Sequence, residues 1–272
     1  MNPNRQLSIT KEQIAALPQA NFEGEIVTID TLDAVAAAVA ELADNRIIGF
    51  DTETKPSFKK GSPNKVALMQ LSTDTKCFLF RLNKIGIPPE LCQLMERDDV
   101  VKIGLSVHDD FHVMHRICEF TPGGFIELQT YVKDFQILDI SLQKIYAIIF
   151  NEKISKKQRL TNWEASELTE AQQLYAATDA WACLKIYRYL STGKFNPDEC
   201  PYEAPEPQPA PEPAQKEAEA PATPAAEPKA EEAEVKSKPK RKYARKKSAA
   251  KPRRSKAAAE NANNDNKEGN NE

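Results

Sequence analysis

Residues 47–53 restrict the possible folds of this chain more than any other segment, because an apolar run there ends in two carboxylates. The apolar run predicts a strand, and along a strand successive side chains point to opposite faces. Asp51 and Glu53 therefore share one face, while Thr52 points away from them. Two carboxylates so close in a partly buried site do not both ionise unless a cation or a basic group compensates their charge. The pair thus predicts a site for a hard cation, although the same pattern also occurs at solvated strand ends.

A second acidic segment covers residues 102–114, which predict a short strand that leads into an amphipathic helix. The apolar stripe of this helix follows helical spacing and consists of Phe111, Met114, Ile117 and Cys118. Asp110 lies next to that stripe, so its side chain is expected to face the sheet. The neighbouring Asp109 is expected to face solvent, where an acidic side chain near a helix start acts as a cap or as a partner for the helix dipole.

The third acidic segment is a predicted helix that includes residues 174–187. Tyr175 and Asp179 are four positions apart in it and therefore lie on one face. A phenol one turn away from a metal-binding carboxylate can position a water molecule. Taken alone, such a pair is weak evidence for a site, because the surrounding apolar residues form an ordinary helix core.

The three segments together are far more specific than any one of them. Their order, Asp-x-Glu, Gly-x5-Asp and Tyr-x3-Asp, resembles the DEDDy branch of the 3′-5′ exonucleases, the family of ribonuclease D and the Werner syndrome exonuclease domain. Further segments with the same resemblance are residues 65–71, 159–163 and 168–180. The resemblance covers roughly residues 25–192 and is closer to the Werner type than to ribonuclease D. It implies an α/β fold of the ribonuclease H-like kind, with a mixed sheet flanked by helices.

The resemblance also implies a chemistry, namely hydrolysis of nucleic acid from its 3′ end to 5′-mononucleotides with two divalent cations, Mg²⁺ or Mn²⁺. Asp51, Glu53 and Asp179 would hold the ion that generates hydroxide. Asp51 and Asp110 would hold the second ion, which stabilises the leaving 3′ oxygen. Tyr175 would orient the attacking water. Because hard oxygen ligands suit Mg²⁺ and Mn²⁺, and no implied ligand is Cys or His, zinc is disfavoured.

Two basic loops near these motifs are expected to contact the substrate, since basic side chains can bind phosphates and aromatic ones can stack on bases. The expected substrate-binding residues are Lys55, Phe58, Met69, Lys156, Lys157, Arg159 and Trp163. The alternative is that both loops are merely solvated. Position 54 departs from the Werner-type pattern, because a Thr stands where an aromatic residue often follows the Asp-x-Glu motif.

Other functions are compatible with parts of the sequence. His108 and His112 have a spacing that can bind zinc, and His115 is nearby, but the Glu of a zincin signature is missing and a polar helix face is expected instead. DNA is the favoured substrate, and trimming of RNA 3′ ends is the alternative. A noncatalytic nucleic-acid-binding adaptor with a nuclease-like fold is the alternative from another class, although a binding module has no need for convergent carboxylates.

The composition changes sharply along the chain. The expected divisions are an N-terminal extension at 1–24, the exonuclease domain at 25–195, a disordered Pro/Ala/Glu-rich linker at 196–235 and a disordered basic tail at 236–272. Residues 236–256 contain twelve Lys or Arg and no acidic residue, although the net charge of the whole chain is −3. This block is expected to hold nucleic acid without sequence preference, or else to be a solvated charge run or a nuclear import signal.

The periodicity of the domain predicts a set of helices and strands. The expected strands are 47–51, 65–71, 77–81 and 100–105, the first three as an antiparallel meander and the fourth parallel, with a short strand near Gln136. The expected helices are 31–43, 89–95, 109–118, 137–150 and 170–190.

The five cysteines show no Cys-x-x-Cys spacing and fall mainly in apolar surroundings. They are therefore expected to be reduced core residues of a cytoplasmic protein. Neither a signal peptide nor an apolar run of membrane-spanning length is apparent, so no membrane association is expected.

Overall fold

The computed structural model describes residues 5–56 and 65–205 of the chain, which lie within one unit spanning Met1–Ala210. Phe58, the basic tail and the linker from residue 206 onward lie outside the described residues. No helix in the described part of the chain combines the length and the apolarity that crossing a bilayer requires.

The described residues form one mixed sheet with helices on both faces. The strands are β1 (Glu25–Ile29), β2 (Ile47–Thr54), β3 (Val66–Ser72), β4 (Lys76–Phe80), β5 (Val101–Gly104) and β6 (Phe125–Glu127). Their order across the sheet is β1-β4-β3-β2-β5-β6. The α-helices are α1 (Lys11–Ala16), α2 (Val35–Ala43), α3 (Leu82–Ile85), α4 (Pro89–Glu96), α5 (Val107–Met114), α6 (Leu128–Tyr131), α7 (Leu142–Phe150) and α8 (Glu170–Ser191). Short 3-10 helices are found at Leu32–Ala34, Val132–Phe135 and Pro197–Glu199.

The predicted meander is confirmed, because β2, β3 and β4 pair antiparallel and β5 joins β2 in parallel. Strands β1 and β6 were not expected; β1 pairs in parallel with β4, and β6 with β5. The prediction of a strand near Gln136 is wrong, because this segment makes only an isolated bridge between Ile137 and Leu7. For the same reason α7 begins at Leu142 rather than at residue 137.

The two faces of the sheet pack against different helices. On one face, Ile48 and Phe50 of β2 lie in an apolar cluster with residues of α2, α4 and α5. On the other face, the long helix α8 buries Ala176, Ala177 and Ala180 against the sheet. The small side chains of α8 allow its axis to come close to β2, which carries the first acidic motif.

Both ends of the described chain pack against the body of the domain. The backbone of Leu7 bridges Ile137 on one side and Glu203 on the other, and its side chain is fully buried. Phe195 and Tyr202 are buried in the same apolar cluster. Residues 5–24 and 196–205 are therefore part of the folded body, because they carry apolar side chains that fill its core.

We expect Leu7→Ala to lower the free energy of unfolding by about 2–4 kcal/mol, because it deletes a fully buried side chain and leaves a cavity. Urea denaturation followed by circular dichroism measures the change. Leu32→Ala is the matched control, since the Leu32 side chain is 62% exposed, and it should change stability by less than about 0.5 kcal/mol. Equal losses in the two variants would show that the N-terminal segment does not stabilise the domain.

Candidate active site

Three carboxylates converge where β2 meets α8. Asp51 and Glu53 share one face of β2, as predicted, and Asp179 reaches them from α8; oxygen atoms of the three lie within 4.8 Å of one another. Gly49 makes this approach possible, because a Cβ there would lie 1.9 Å from the carbonyl oxygen of Ala180. A larger residue at 49 would therefore push α8, and Asp179 with it, away from the strand.

The environment of this trio opposes its negative charge. Burial is the main cause, and the neighbouring carboxylates add to it, so that the pKa of Glu53 rises to about 10 and that of Asp51 rises well above its usual range. Burial also raises the pKa of Asp179 to about 7, although a hydrogen bond from Tyr175 and the charge of Lys156 lower it. Without a compensating cation, the trio therefore holds protons at neutral pH.

Asp110 lies beside the trio rather than within it. It is partly buried and faces the sheet, whereas Asp109 is exposed, as predicted for both. The hydroxyl of Thr52, on the face of β2 opposite to Asp51, donates a hydrogen bond of 2.5 Å to Asp110. Burial and the charge of Asp51 raise the pKa of Asp110 to about 8. The structure thus couples the fourth carboxylate to β2 through a residue that the sequence did not single out.

Glu127 fixes the start of the helix that carries Asp110. Its carboxylate accepts hydrogen bonds from the backbone N–H groups of Ser106 at 3.0 Å and Val107 at 2.8 Å, at the N-terminus of α5. A carboxylate at this position satisfies free N–H groups and interacts favourably with the helix dipole. Nothing in the sequence pattern indicated this role, because Glu127 lies in β6, a three-residue strand that the pattern did not predict.

Tyr175 lies one turn before Asp179 on α8, as predicted, and is hydrogen-bonded to its carboxylate. The phenol is buried, and its ring packs at a centroid distance of 6.0 Å from the ring of Trp163. Burial and the charges of the nearby carboxylates raise the pKa of Tyr175, so the phenol remains protonated. It can therefore donate one hydrogen bond and accept another from a water molecule.

The trio of carboxylates and Tyr175 line a cleft of about 400 Å³, and Lys156 and Arg159 lie in its wall. The charge of Arg159 lowers the pKa of Glu53, which places the guanidinium near the carboxylates. The remaining lining is uncharged and consists of Thr52, Leu105, Ser106, Gln129, Ile140, Ser141, Leu142, Gln143, Ile154 and Ser155. The cleft therefore combines an acidic site with basic groups that suit a phosphate and neutral groups that suit sugars and bases.

Gln129 holds one wall of this cleft in place. Its amide nitrogen donates to Ser106 Oγ at 2.9 Å and to the carbonyl oxygen of Ile140 at 3.0 Å. Because a carbonyl oxygen can only accept, the bond to Ile140 requires the amide nitrogen of Gln129 on that side and leaves Oε1 on the other. Ile140 is 60% exposed although it is apolar. Neither Gln129 nor Ile140 is apparent as a site residue from the sequence, since both lie in segments whose conformation depends on distant contacts.

The remaining residues expected to bind substrate lie in different environments. Lys157 is exposed and lines a smaller cavity next to Tyr175. Lys55 forms a salt bridge of 3.0 Å with Glu164. Met69 and Trp163 are fully buried, which corrects the expectation that they contact substrate: Met69 packs inside the sheet core, and Trp163 supports Tyr175 from behind.

The three histidines do not join a metal cluster in the described part of the chain. His108, His112 and His115 are all exposed, and they line a cavity on another side of α5. Within the described residues, the trio of Asp51, Glu53 and Asp179 is the group of three or more ligand residues close enough to hold one ion. Its donors are all carboxylate oxygens in a partly buried site, and this set fits a hard divalent cation such as Mg²⁺ or Mn²⁺.

A family model described as 3'-5' exonuclease matches residues 26–193, which is more than half of the chain. The chain belongs to the 3′-5′ exonuclease family. It is 32% identical over 155 residues to the bifunctional 3'-5' exonuclease/ATP-dependent helicase WRN of Mus musculus, and the match covers 55% of this chain and 11% of that protein. The chain thus spans about a tenth of the length of this curated relative.

Solved structures of the family share the fold. The Nibbler EXO domain of Aedes aegypti superposes with a TM-score of 0.57 at 22% identity, covering 66% of this chain and 96% of that domain. RNase D of Escherichia coli superposes with a TM-score of 0.56 at 21% identity, covering 62% of this chain and 44% of that protein. The ribonuclease H-like fold implied by the motifs is confirmed.

The buried carboxylates of this exonuclease domain are expected to make its stability depend on pH. The unfolded chain releases carboxyl protons near a pKa of about 4, whereas the folded chain holds those of Asp110 and Glu53 up to about 8 and about 10. Since the folded state binds more protons in this window, stability without a divalent cation should fall as pH rises.

A bound cation compensates these charges, so the rise in unfolding temperature on adding Mn²⁺ should be larger at about pH 8 than at about pH 5.5. Thermal unfolding with Mn²⁺ and with EDTA at both pH values measures the difference. The isosteric variant Asp51→Asn should show a much smaller effect of Mn²⁺. An equal Mn²⁺ effect at the two pH values would contradict the expectation.

Proposed function

We propose that this protein is a metal-dependent 3′-5′ exonuclease that releases 5′-mononucleotides, with DNA as the preferred substrate. The observation that carries the proposal is the trio of carboxylates in a cleft with a phenol on one side and basic residues in its wall. The preference for DNA rests on the similarity to the Werner-type branch, including the identity with mouse WRN.

Asp51, Glu53 and Asp179 would hold one divalent cation, and Asp51 and Asp110 a second. When bound, such ions would supply Lewis-acid chemistry, which would lower the pKa of a bound water and offset the negative charge that develops during the displacement. Tyr175 orients the attacking water through its hydroxyl, which the bond with Asp179 holds in place. Lys156 and Arg159 bind the phosphate next to the scissile bond, and Ile140 packs against the sugar or the base of a bound nucleotide.

One observation favours RNA as the second candidate substrate. Both N–H groups of Gln129 are used within the protein, and no donor to its Oε1 is found among the described residues. This oxygen therefore remains available in the cleft as an acceptor, and a 2′-hydroxyl group is a donor that RNA has and DNA lacks. RNase D of Escherichia coli, which shares the fold, is described as an exoribonuclease involved in structured RNA processing.

The decisive experiment is digestion of DNA and RNA oligonucleotides of one sequence, single-stranded or with a recessed 3′ end, each labelled at the 5′ end. Mg²⁺ or Mn²⁺ should support stepwise shortening from the 3′ end with release of 5′-mononucleotides, and EDTA should stop it. Faster loss of DNA supports the preferred substrate, and faster loss of RNA supports the second candidate. Binding without shortening under every metal condition would indicate a noncatalytic adaptor.

We further propose that the basic tail increases affinity for long strands without contributing to the chemistry. Truncation after Pro205 keeps the buried Tyr202 and all proposed ligands, so turnover at saturating substrate should persist while affinity falls. Each phosphate neutralised contributes roughly −0.7 to −0.9 to the slope of log affinity against log salt, so the full-length protein should show the steeper slope. Fluorescence anisotropy on one oligonucleotide compares the two. Equal slopes would mean that the tail does not contact the strand.

A further inference from the structure

Two of the five cysteines lie in direct contact outside the active site. Cys77, Cys183 and Cys200 are buried, in agreement with the expectation of core cysteines, but Cys92 and Cys118 are only partly buried. The Sγ atoms of Cys92 and Cys118 are 2.8 Å apart. This distance is shorter than an ordinary contact between two thiols and longer than a disulfide bond of about 2.05 Å.

We propose that Cys92 and Cys118 are a modification site at which oxidation forms an intramolecular disulfide. The backbone around both residues is anchored, because Cys92 lies within α4 and the N–H of Cys118 donates to the carbonyl oxygen of Met114 at the end of α5. Closing the bond requires the sulfurs to approach by less than about 1 Å, which side-chain rotation can supply. Neither helix has to move for the reaction to occur.

The oxidant is a small-molecule disulfide such as oxidised glutathione. The thiolate of one cysteine attacks a sulfur of the oxidant, forms a mixed disulfide and expels one glutathione thiolate. The second cysteine then loses its proton, attacks the protein sulfur of the mixed disulfide and expels the other glutathione. Two protein thiols and one oxidised glutathione thus become one protein disulfide and two reduced glutathiones. Cys118 is the first to react, because Cys92 lies within a helix and burial raises its pKa to about 12.

The crosslink would join two elements that are 26 positions apart in the chain. The closed loop contains β5 and the whole of α5, and therefore Asp110. A disulfide restricts mainly the unfolded chain, so it should stabilise the domain while leaving the folded positions of Asp110 and Thr52 nearly unchanged. The expected consequence of oxidation is a more stable protein with unaltered chemistry.

The full-length protein is incubated with oxidised glutathione or with dithiothreitol and then analysed by peptide mapping and thiol titration in denaturant. Oxidation should lower the number of free thiols from five to three and yield a peptide pair linked through Cys92 and Cys118. It should also raise the unfolding temperature by about 5–10 °C. The rate of exonuclease digestion should change by less than about twofold, because none of the proposed ligands moves.

Matched variants separate this crosslink from other effects of oxidation. Cys92→Ser and Cys118→Ser should each lose the difference in unfolding temperature between oxidised and reduced protein, whereas Cys200→Ser should keep it. Comparing two redox states of the same variant cancels the effect of the substitution itself. Five free thiols after oxidation, or glutathione attached to Cys118 without closure, would overturn the proposal.

Discussion

Asp51→Ala and Asp179→Ala are each expected to abolish digestion while leaving the fold intact. Each removes a carboxylate from a trio whose oxygens lie within 4.8 Å of one another, and this trio is the proposed ion site. Stabilisation of charge by a metal ion is worth several kcal/mol, and about 1.4 kcal/mol corresponds to a factor of ten in rate, so the loss should be on the order of a thousandfold. The digestion rate of 5′-labelled oligonucleotide measures it, with circular dichroism as the test of folding.

Asp51→Asn should be nearly as inactive, because the amide keeps the shape of the side chain and loses its charge. Since burial and Asp179 raise the pKa of Asp51, the same variant should be at least as stable as the natural protein when no divalent cation is present. More than about a tenth of the natural rate in either Asp51 variant would exclude the two-metal assignment. If a variant is both inactive and unfolded, its loss of activity would come from loss of the fold and not from loss of a metal ligand.

The second large effect is expected from Asp110, in contrast to its neighbour. Asp110→Ala should lower the rate by about a hundredfold or more, because it removes the proposed ligand of the second ion and leaves the Thr52 hydroxyl without its acceptor. Asp109→Ala should change the rate by less than about threefold, since this side chain is exposed on the first turn of α5. The two variants remove the same chemical group from adjacent positions and are therefore matched.

Tyr175→Phe should fall between these two variants, because the ring still packs against Trp163 while the hydroxyl that positions water is lost. Single-turnover rates at saturating enzyme separate this effect from weaker binding. A larger loss of rate in Asp109→Ala than in Asp110→Ala would show that Asp109, and not Asp110, faces the carboxylates of β2.

The part of the site that could be predicted from the sequence follows from local geometry. Alternation along β2 placed Asp51 and Glu53 on one face, and helical spacing placed Tyr175 beside Asp179 and Asp110 toward the sheet. Strand alternation and helical spacing can each be applied to a single strand or helix, without knowledge of its partners. The convergence of β2 and α8 depended on the resemblance of the motifs, because nothing in the sequence alone shows that Gly49 meets the backbone of Ala180.

The parts that could not be predicted depend on partners distant in the chain. Residues 137–141 were expected to start a helix, but the N–H of Leu138 donates to the carbonyl oxygen of Leu7, and the segment lies outside any helix. Ile140 reaches the cleft as a result. Likewise β1 is a partly exposed strand at the edge of the sheet, so its hydrophobic pattern is weak, and β6 has only three residues. Tertiary pairing overrides local preference in all of these segments.

The position of Leu7 has a consequence for how the protein folds as it is synthesised. Leu7 is synthesised long before Glu203, yet one of its two backbone bridges is with Glu203. Domains generally fold as units during synthesis, and contacts between distant residues form slowly. Part of the apolar surface around Leu7 therefore stays uncovered until nearly the whole body has been translated. A pause in translation before residue 203 would prolong that exposure and favour aggregation of the nascent chain.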